Sequence, residues 1–166
     1  MEENKSRKKI EMNIVVDSNI VFSAMLNTQS NIGQLLTDGS TFFSFYSVSL
    51  LKTEIQNHKK KLCKIAGYTD QEFEEVFYLI TNKIKFIDEI LISDKDFYKA
   101  TKLVATIDTD DTLFVALANH LHSNLWTGDK KLIIGLKAKG YTKILTTEML
   151  YQLYLDKKTK QQLGNK

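Results

Sequence analysis

The sequence predicts an α/β fold in which short buried strands alternate with helices along a single domain. Short runs of β-branched and aromatic residues are separated by longer segments with helical hydrophobic spacing. The chain of 166 residues has no proline and only seven glycines, and it shows no linker or repeat that would divide it. Its hydrophobic fraction of 43% and charged fraction of 26% are typical of a globular domain. This alternation implies a parallel sheet covered by helices on both faces.

Five short apolar runs are predicted to form the strands. The first is MNIVV at residues 12–16, a β-branched run of the kind that forms a buried strand. The second is the aromatic run FFSFY at residues 42–46. The other three strands are predicted at residues 85–87, 124–127 and 143–146.

The segments between the strands are predicted helices, because apolar residues recur in them at helical spacing. Ser47 or Ser49 can cap a long third helix, and Ser93 can begin a later one. Thr69 and Glu72 have the spacing of a capping box at the start of the fourth helix. The predicted helices cover residues 20–26, 32–36, 51–67, 70–80, 93–104, 110–121, 130–139 and 148–155.

Composition excludes several classes of protein. The single Cys63 can form neither an intrachain disulfide nor a multi-cysteine metal site. No apolar run approaches the ~20 residues that span a bilayer, so no membrane partner is expected, and the charged N-terminus lacks the apolar core of a signal peptide. We expect a cytoplasmic protein with one domain at residues 12–156, a charged tail at 1–11 and a Lys-rich tail at 157–166.

The net charge of +3 conceals a segregation of charge along the chain. Residues 1–11 sum to +1, and residues 52–64 and 157–166 each sum to +4, which leaves −6 on the remainder. Basic edges around an acidic middle suit a polyanion held beside a metal site, although each cluster alone is explained as solvated lysines. Arg7 is the only arginine, so contacts with phosphate are expected to be tolerant of sequence.

Several aspartates are predicted at one edge of the sheet. Asp17 directly follows the first strand, and Asp129 follows the fourth strand after one intervening glycine. Asp110 and Asp111 begin a helix that is almost entirely apolar, which predicts that it is buried with its start at the same edge. Ligands of parallel α/β sheets bind outside the carboxyl ends of the strands, so these side chains are candidates for a functional site.

Helix capping explains each of these aspartates when it is taken singly, because an acid at a helix start stabilises the helix by ~1 kcal/mol. It does not explain Glu54, which borders the apolar face of the third helix, where a lone carboxylate is costly. Several carboxylates at close quarters repel one another, so we expect a divalent cation among them. Oxygen donors alone favour Mg²⁺ or Mn²⁺.

These residues resemble the motifs of the PIN-domain nucleases. The matching segments are IVVDSNI around Asp17, the acid Glu54 on the third helix, DTDDTLFVALA at residues 108–118 and LWTGDKKL at residues 125–132. Their order, rough spacing and hydrophobic framing agree over about residues 12–150. The pairing of the last two segments is the most specific part of the resemblance.

The resemblance implies a three-layer α/β/α sandwich with a central parallel sheet of about five strands. It implies cleavage of single-stranded or structured RNA that depends on Mg²⁺ or Mn²⁺. It also implies an antitoxin partner, if the chain is the toxin of a toxin–antitoxin pair, and a homodimer. Carried over by position, the metal-binding acids are Asp17, Glu54, Asp111 and Asp129. The residues expected to support them are Asn19, Asp108, Asp110 and Thr127, of which Asn19 and Thr127 would orient carboxylates or water.

Two other functions remain open at the level of sequence. A phosphatase of the haloacid-dehalogenase type also has an aspartate after its first strand, but its chemistry needs a second acid two residues later, where Asn19 stands. A PIN-like module that binds RNA or protein without cleaving it is the other alternative, although every acid is present. The aromatic run at 42–46 and Trp126 suit a core or a base-stacking surface, and we expect the core.

Overall fold

The computed structural model describes residues 11–165 and shows one five-stranded parallel sheet there. The strand order is β3-β2-β1-β4-β5, and every neighbouring pair is parallel. The predicted α/β fold with a parallel sheet of about five strands is therefore confirmed. The predicted N-terminal tail lies outside the described residues except for Glu11. The strands are Met12–Val16 (β1), Phe43–Val48 (β2), Ile84–Ile87 (β3), Asn124–Trp126 (β4) and Ile144–Leu145 (β5).

Nine α-helices connect and cover these strands in the described part of the chain. The capping box of Thr69 and Glu72 is present, and Ser93 caps its helix as predicted. The helices are Ser18–Leu26 (α1), Asn31–Thr37 (α2), Leu50–Asn57 (α3), Lys59–Ala66 (α4), Asp70–Thr81 (α5), Asp94–Val104 (α6), Thr112–His120 (α7), Lys130–Ala138 (α8) and Thr147–Gly164 (α9).

The single long third helix is wrong, because the segment forms two helices that meet at His58. The His58 Nδ1 atom lies 2.8 Å from the carbonyl oxygen of Glu54, and the imidazole ring packs edge-on against Phe22. The backbone N–H of His58 still bonds to the Glu54 carbonyl oxygen at 3.1 Å, and the non-helical backbone of His58 (φ −96°, ψ 8°) separates the two helices. Ser49 precedes α3 without a side-chain capping bond, and Ser47 lies in β2.

The last helix continues to Gly164, nine residues beyond its predicted end at residue 155. The Lys-rich segment from residue 157 is therefore the end of α9 in the described residues. Lysine and glutamine are good helix formers, and no glycine interrupts the segment before Gly164. Asp38 adds a tertiary contact, because it accepts a hydrogen bond from Tyr154 and pairs with Lys158 at 3.3 Å.

The core lies on both faces of the sheet. Ile14, Val15 and Val16 are successive residues of β1 that are all fully buried, so helices cover both of its faces. On one face α7 packs on β1, β2 and β4, and α6 packs on α7. A second group of helices pack against one another: α1, α2, α4, α5 and α9. Trp126 and Phe45 are buried with their rings 5.8 Å apart, which confirms the predicted core role of these aromatic residues.

Strand order places a crevice at the carboxyl ends of β1 and β4. The chain passes from β1 outward through β2 to β3 and then returns to β4 on the other side of β1. In a parallel sheet this reversal leaves an opening between the two strands, where ligands bind. Among the described residues no helix is both long and apolar enough to cross a membrane.

Candidate active site

Asp17 lies at the end of β1 and is completely buried. Its Oδ1 atom accepts a hydrogen bond of 2.7 Å from the backbone N–H of Ser18, which makes Asp17 the N-cap of α1. Its Oδ2 atom accepts hydrogen bonds from the Thr127 hydroxyl at 2.7 Å and from the Asn19 amide at 3.2 Å. Burial raises the pKa of Asp17, and the bonds from Thr127 and Ser18 act in the opposite direction.

Thr127 and Asn19 connect the end of β1 to the end of β4. The Thr127 Oγ1 atom donates to Asp17 and accepts from the backbone N–H of Asp129 at 3.1 Å. The Asn19 Oδ1 atom accepts from the Gly128 N–H at 3.2 Å, while its Nδ2 atom lies 3.4 Å from Thr127 Oγ1. These bonds use the donor and acceptor capacity of the threonine hydroxyl and fix Asp129 beside Asp17.

Asp129 is partly buried and caps α8 through a bond of 3.2 Å from the Leu132 N–H to Oδ1. Its negative charge raises the pKa values of both Asp17 and Asp111. The structure therefore brings Asp17, Asp111 and Asp129 within electrostatic reach of one another, although they lie far apart along the chain.

Asp111 sits at the end of a short 3₁₀ turn, Thr109–Asp111, and is 9% exposed. Its Oδ2 atom is buried and has no hydrogen-bond partner among the described residues. Burial raises the pKa of Asp111 to about 7, and the nearby carboxylates of Asp17, Asp108, Asp129 and Asp110 contribute in the same direction. A buried carboxylate without a partner is unfavourable, so this atom is available to a cation.

Asp108 and Asp110 are exposed residues of the segment that presents Asp111. The Asp108 Oδ1 atom accepts a hydrogen bond of 3.0 Å from the Asp110 N–H and so caps the 3₁₀ turn. Their position supports the backbone at Asp111, while their charges add to the negative potential there.

Glu54 lies on the wall of the cleft that leads to Asp111. The cleft has a volume of about 780 Å³, and its lining includes Glu54, His58, Asp110 and Asp111. The acids that raise the pKa of Asp111 do not include Glu54. Within residues 11–165 its carboxylate forms neither a hydrogen bond nor an ion pair. Glu54 thus lines the same cleft as Asp110 and Asp111.

No lysine neutralises this cluster within the part of the chain that the structure describes. The ion pairs there join Lys59 to Asp70 and Glu74, His120 to Asp96, and Lys158 to Asp38, all outside the cleft. The candidate acids therefore keep their repulsion, which an external cation would relieve.

The donor chemistry fits a hydrated hard cation. Across residues 11–165 no three His, Cys, Asp or Glu side chains are placed to hold one ion together as they stand. Mg²⁺ retains several waters and is commonly held by only one or two carboxylates, so direct contact from three acids is not required. The unpartnered Oδ2 of Asp111 and the neighbouring carboxylates of Asp17 and Asp129 are oxygen donors of the kind that Mg²⁺ and Mn²⁺ prefer.

The sequence did not reveal two contacts that hold the site in place. The Ser18 N–H and hydroxyl both approach Asp17, and Ser18 also lines the cleft. Ser47 of β2 donates a bond of 2.9 Å to the carbonyl oxygen of Val16 and thereby anchors the end of β1. The position of Ser18 beside a capping aspartate was a usable signal, whereas the contact of Ser47 depends on strand pairing.

Comparison with known proteins identifies the family and the fold. The family described as the PIN domain matches residues 15–155. One similar solved structure is the crystal structure of VapBC2 from Rickettsia felis bound to a DNA fragment from their promoter. The likeness has a TM-score of 0.60 at 16% identity and covers 81% of this chain and 98% of that chain, which shows the shared fold. No curated protein sequence matches the chain.

Replacing Thr127 with valine should destabilise the protein by roughly 1–3 kcal/mol, because the buried Asp17 carboxylate and the Asp129 N–H each lose a hydrogen-bond partner. Thr127→Ser keeps the hydroxyl and should lose less than half as much. Urea denaturation of the two variants and of the wild type measures this difference. A loss from serine as large as the loss from valine would contradict the prediction that the hydroxyl bonds account for most of the contribution of Thr127.

Without a divalent ion, Asp111→Asn should stabilise the protein near neutral pH. The pKa of Asp111 is about 7 in the folded chain, against 3.8 for an unperturbed aspartate, so its ionised form destabilises the folded state above pH 7. This destabilisation disappears as the pH falls from 7 towards 4. We expect the stability difference from wild type to change by on the order of 2 kcal/mol between pH 8 and pH 4.

Thermal and urea unfolding in EDTA across this pH range provide the measurement. Asp94→Asn, a change at an exposed acid in the first turn of α6, is the matched control and should show no such pH-dependent gain. A difference between wild type and Asp111→Asn that stays constant with pH would contradict the raised pKa.

Proposed function

The chain belongs to the PIN domain family, and from this membership we propose that it is an endoribonuclease that depends on Mg²⁺ or Mn²⁺. PIN domains are in general nucleases. The observation that carries the proposal is the group of Asp17, Asp111 and Asp129 at the carboxyl edge of β1 and β4, buried or partly buried and without a lysine partner in the described residues. Such a group is costly to maintain unless it binds a cation.

In this proposal Asp17, Asp111 and Asp129 hold the ion, directly or through its waters, and Glu54 completes the site from the cleft wall. The bound ion supplies stabilisation of charge on the scissile phosphate and a more acidic water for hydrolysis. Thr127 and Asn19 fix the carboxylates through the bonds to Asp17 and the 127–129 segment. Because the pKa of Asp111 is about 7, ion binding displaces a proton and strengthens as the pH rises.

Basic residues beside the cleft support a polyanionic substrate. Helix α4 begins after His58, which lines the cleft, and carries the exposed residues Lys60, Lys61 and Lys64. These lysines form no ion pair within residues 11–165. Lysine acts as a point charge towards phosphate, so this flank would attract RNA without reading its sequence.

The phosphatase alternative has less support in the geometry of the site. The position two residues after Asp17 holds Asn19, whose amide donates to the Asp17 carboxylate. An amide in that place cannot exchange a proton with a leaving group as a carboxylic acid does. A module that binds RNA without cleaving it remains the alternative that the cleavage experiment distinguishes.

We further propose that the chain is the toxin of a toxin–antitoxin pair and acts on RNA in the cytoplasm. The similar solved structure is a VapBC2 complex. A small antitoxin protein would inhibit the chain by covering the acidic cleft, and a homodimer is part of the same proposal. An uncovered acidic cleft beside a basic helix offers both charges to such a partner.

Asp17→Asn and Asp129→Asn should each reduce RNA cleavage by at least about 100-fold, because each removes a charge that holds the ion. The measurement is cleavage of a mixed end-labelled RNA pool with Mg²⁺ or Mn²⁺, and with EDTA as the metal-free condition. Asp70→Asn, a change at an exposed acid at the start of α5, is the control and should cleave normally.

Thermal melting checks that the variants are folded. Normal cleavage by both site variants would remove Asp17 and Asp129 from the proposed mechanism. Release of phosphate from a small phosphomonoester, with no cleavage of RNA, would instead favour the phosphatase.

Expression of the wild-type chain alone should arrest bacterial growth, whereas expression of Asp129→Asn should not, because growth arrest requires cleavage. The toxin role further predicts that the neighbouring reading frame encodes a short antitoxin, and that its co-expression restores growth. Growth curves with matched protein levels by immunoblot provide the measurement. Normal growth with abundant, active wild-type enzyme would contradict the toxin role while leaving the nuclease intact.

A further inference from the structure

Phe97 is an exposed aromatic residue on the wall of the acidic cleft. It lies on α6 and is 44% exposed, and it lines the cleft together with Glu54 and Asp111. Leu50, at the start of α3, is 46% exposed and also lines the cleft. The cleft is therefore lined both by acids, among them Asp110 and Asp111, and by exposed apolar side chains.

The ring of Phe97 is open to a ligand. Within residues 11–165 no other aromatic ring packs against it, and no lysine lies over it. Its neighbour Tyr98 differs, because Lys102 lies 4.4 Å from the centre of the Tyr98 ring. The aromatic residues near β2 and β4 are unsuitable for stacking, since Phe43, Phe45 and Trp126 are buried in the core.

The chemistry of the cleft wall selects an uncharged planar group. The lining contains no lysine or arginine among the described residues; apart from the acids its polar members are His58, Ser18 and the threonines at positions 101, 109 and 112. A phosphate has no cation to meet there, whereas an aromatic ring stacks on any nucleobase. Because Phe97 and Asp111 line the same cleft, an RNA strand whose phosphate lies at Asp111 can bring a nearby base to Phe97.

We propose that Phe97 is the platform on which an unpaired nucleobase next to the scissile phosphate stacks. This inference rests on the proposed ribonuclease function and requires the base that reaches Phe97 to be unpaired. A base inside a duplex is stacked between its neighbours and cannot present its face to the protein. Phe97 thus binds substrate and acts mainly on affinity, while the acids act on the chemical step.

The test uses a single-stranded oligoribonucleotide that contains one mapped cleavage site. Phe97→Ala and Phe97→Leu should each raise KM by about 5- to 100-fold, the range for loss of one stacked base, and change kcat little. Phe97→Trp should restore the wild-type KM, because it restores the aromatic face. Tyr98→Ala, which removes a ring of similar exposure on the same helix, should behave as wild type.

A second arm removes the base instead of the ring. Abasic nucleotides are placed one at a time around the cleavage site. At one of these positions the substitution should raise the KM of the wild type. The same abasic substitution should hardly raise the KM of Phe97→Leu any further, because the two changes remove one shared contact. A fully paired duplex of the same sequence should be cleaved poorly by every variant.

A KM for Phe97→Leu equal to that of the wild type would overturn the inference and leave the nuclease assignment untouched. Equal abasic penalties in wild type and Phe97→Leu, or efficient cleavage of the duplex, would overturn it in the same way. Failure of the wild type to cleave any RNA would defeat the proposed function itself, and the inference with it. Melting temperatures establish that each variant is folded, and because Phe97 is exposed they should match the wild type.

Discussion

The structure depends on burying a carboxyl group at the end of the central strand. Asp17 has no exposed surface, and burial alone would favour its neutral form. The Ser18 N–H, the Thr127 hydroxyl and the Asn19 amide donate hydrogen bonds to it and offset part of that cost. Ser18 lies just after β1 and Thr127 just after β4. The hydrogen bonds to Asp17 therefore require that β1 and β4 end at the same edge of the sheet.

The same carboxylates serve as helix caps and as candidate ligands, and the structure separates the two roles by residue. Asp17 and Asp129 cap α1 and α8, so capping explains their positions even without a metal. Asp111 precedes α7 but makes no side-chain capping bond, and its Oδ2 atom has no partner among the described residues. Capping therefore does not explain the position of Asp111. Its unpartnered carboxylate is the strongest indication that the cluster binds a cation.

Features that depend on local sequence could be predicted, whereas features that depend on distant packing could not. The β-branched run of β1 and the capping box at Thr69 are local signals, and both are confirmed. The two helices separate at His58, whose ring contacts a backbone carbonyl and Phe22, and no spacing rule includes such contacts. The continuation of α9 is not predicted, although its composition allows it. The contact between Lys158 and Asp38 joins residues 120 positions apart in the sequence.

The candidate site shows the same division between strand ends and helices. Asp17 and Asp129 follow the rule that parallel strands share a carboxyl edge, since each lies within a few residues of a strand end. Glu54 and Phe97 lie on α3 and α6, where the sequence predicts a helix without its orientation to the sheet. The strand ends thus fix Asp17 and Asp129, whereas separately packed helices carry the residues of the cleft wall. Substitutions on the cleft wall can therefore change which RNA binds without disturbing the hydrogen bonds to Asp17.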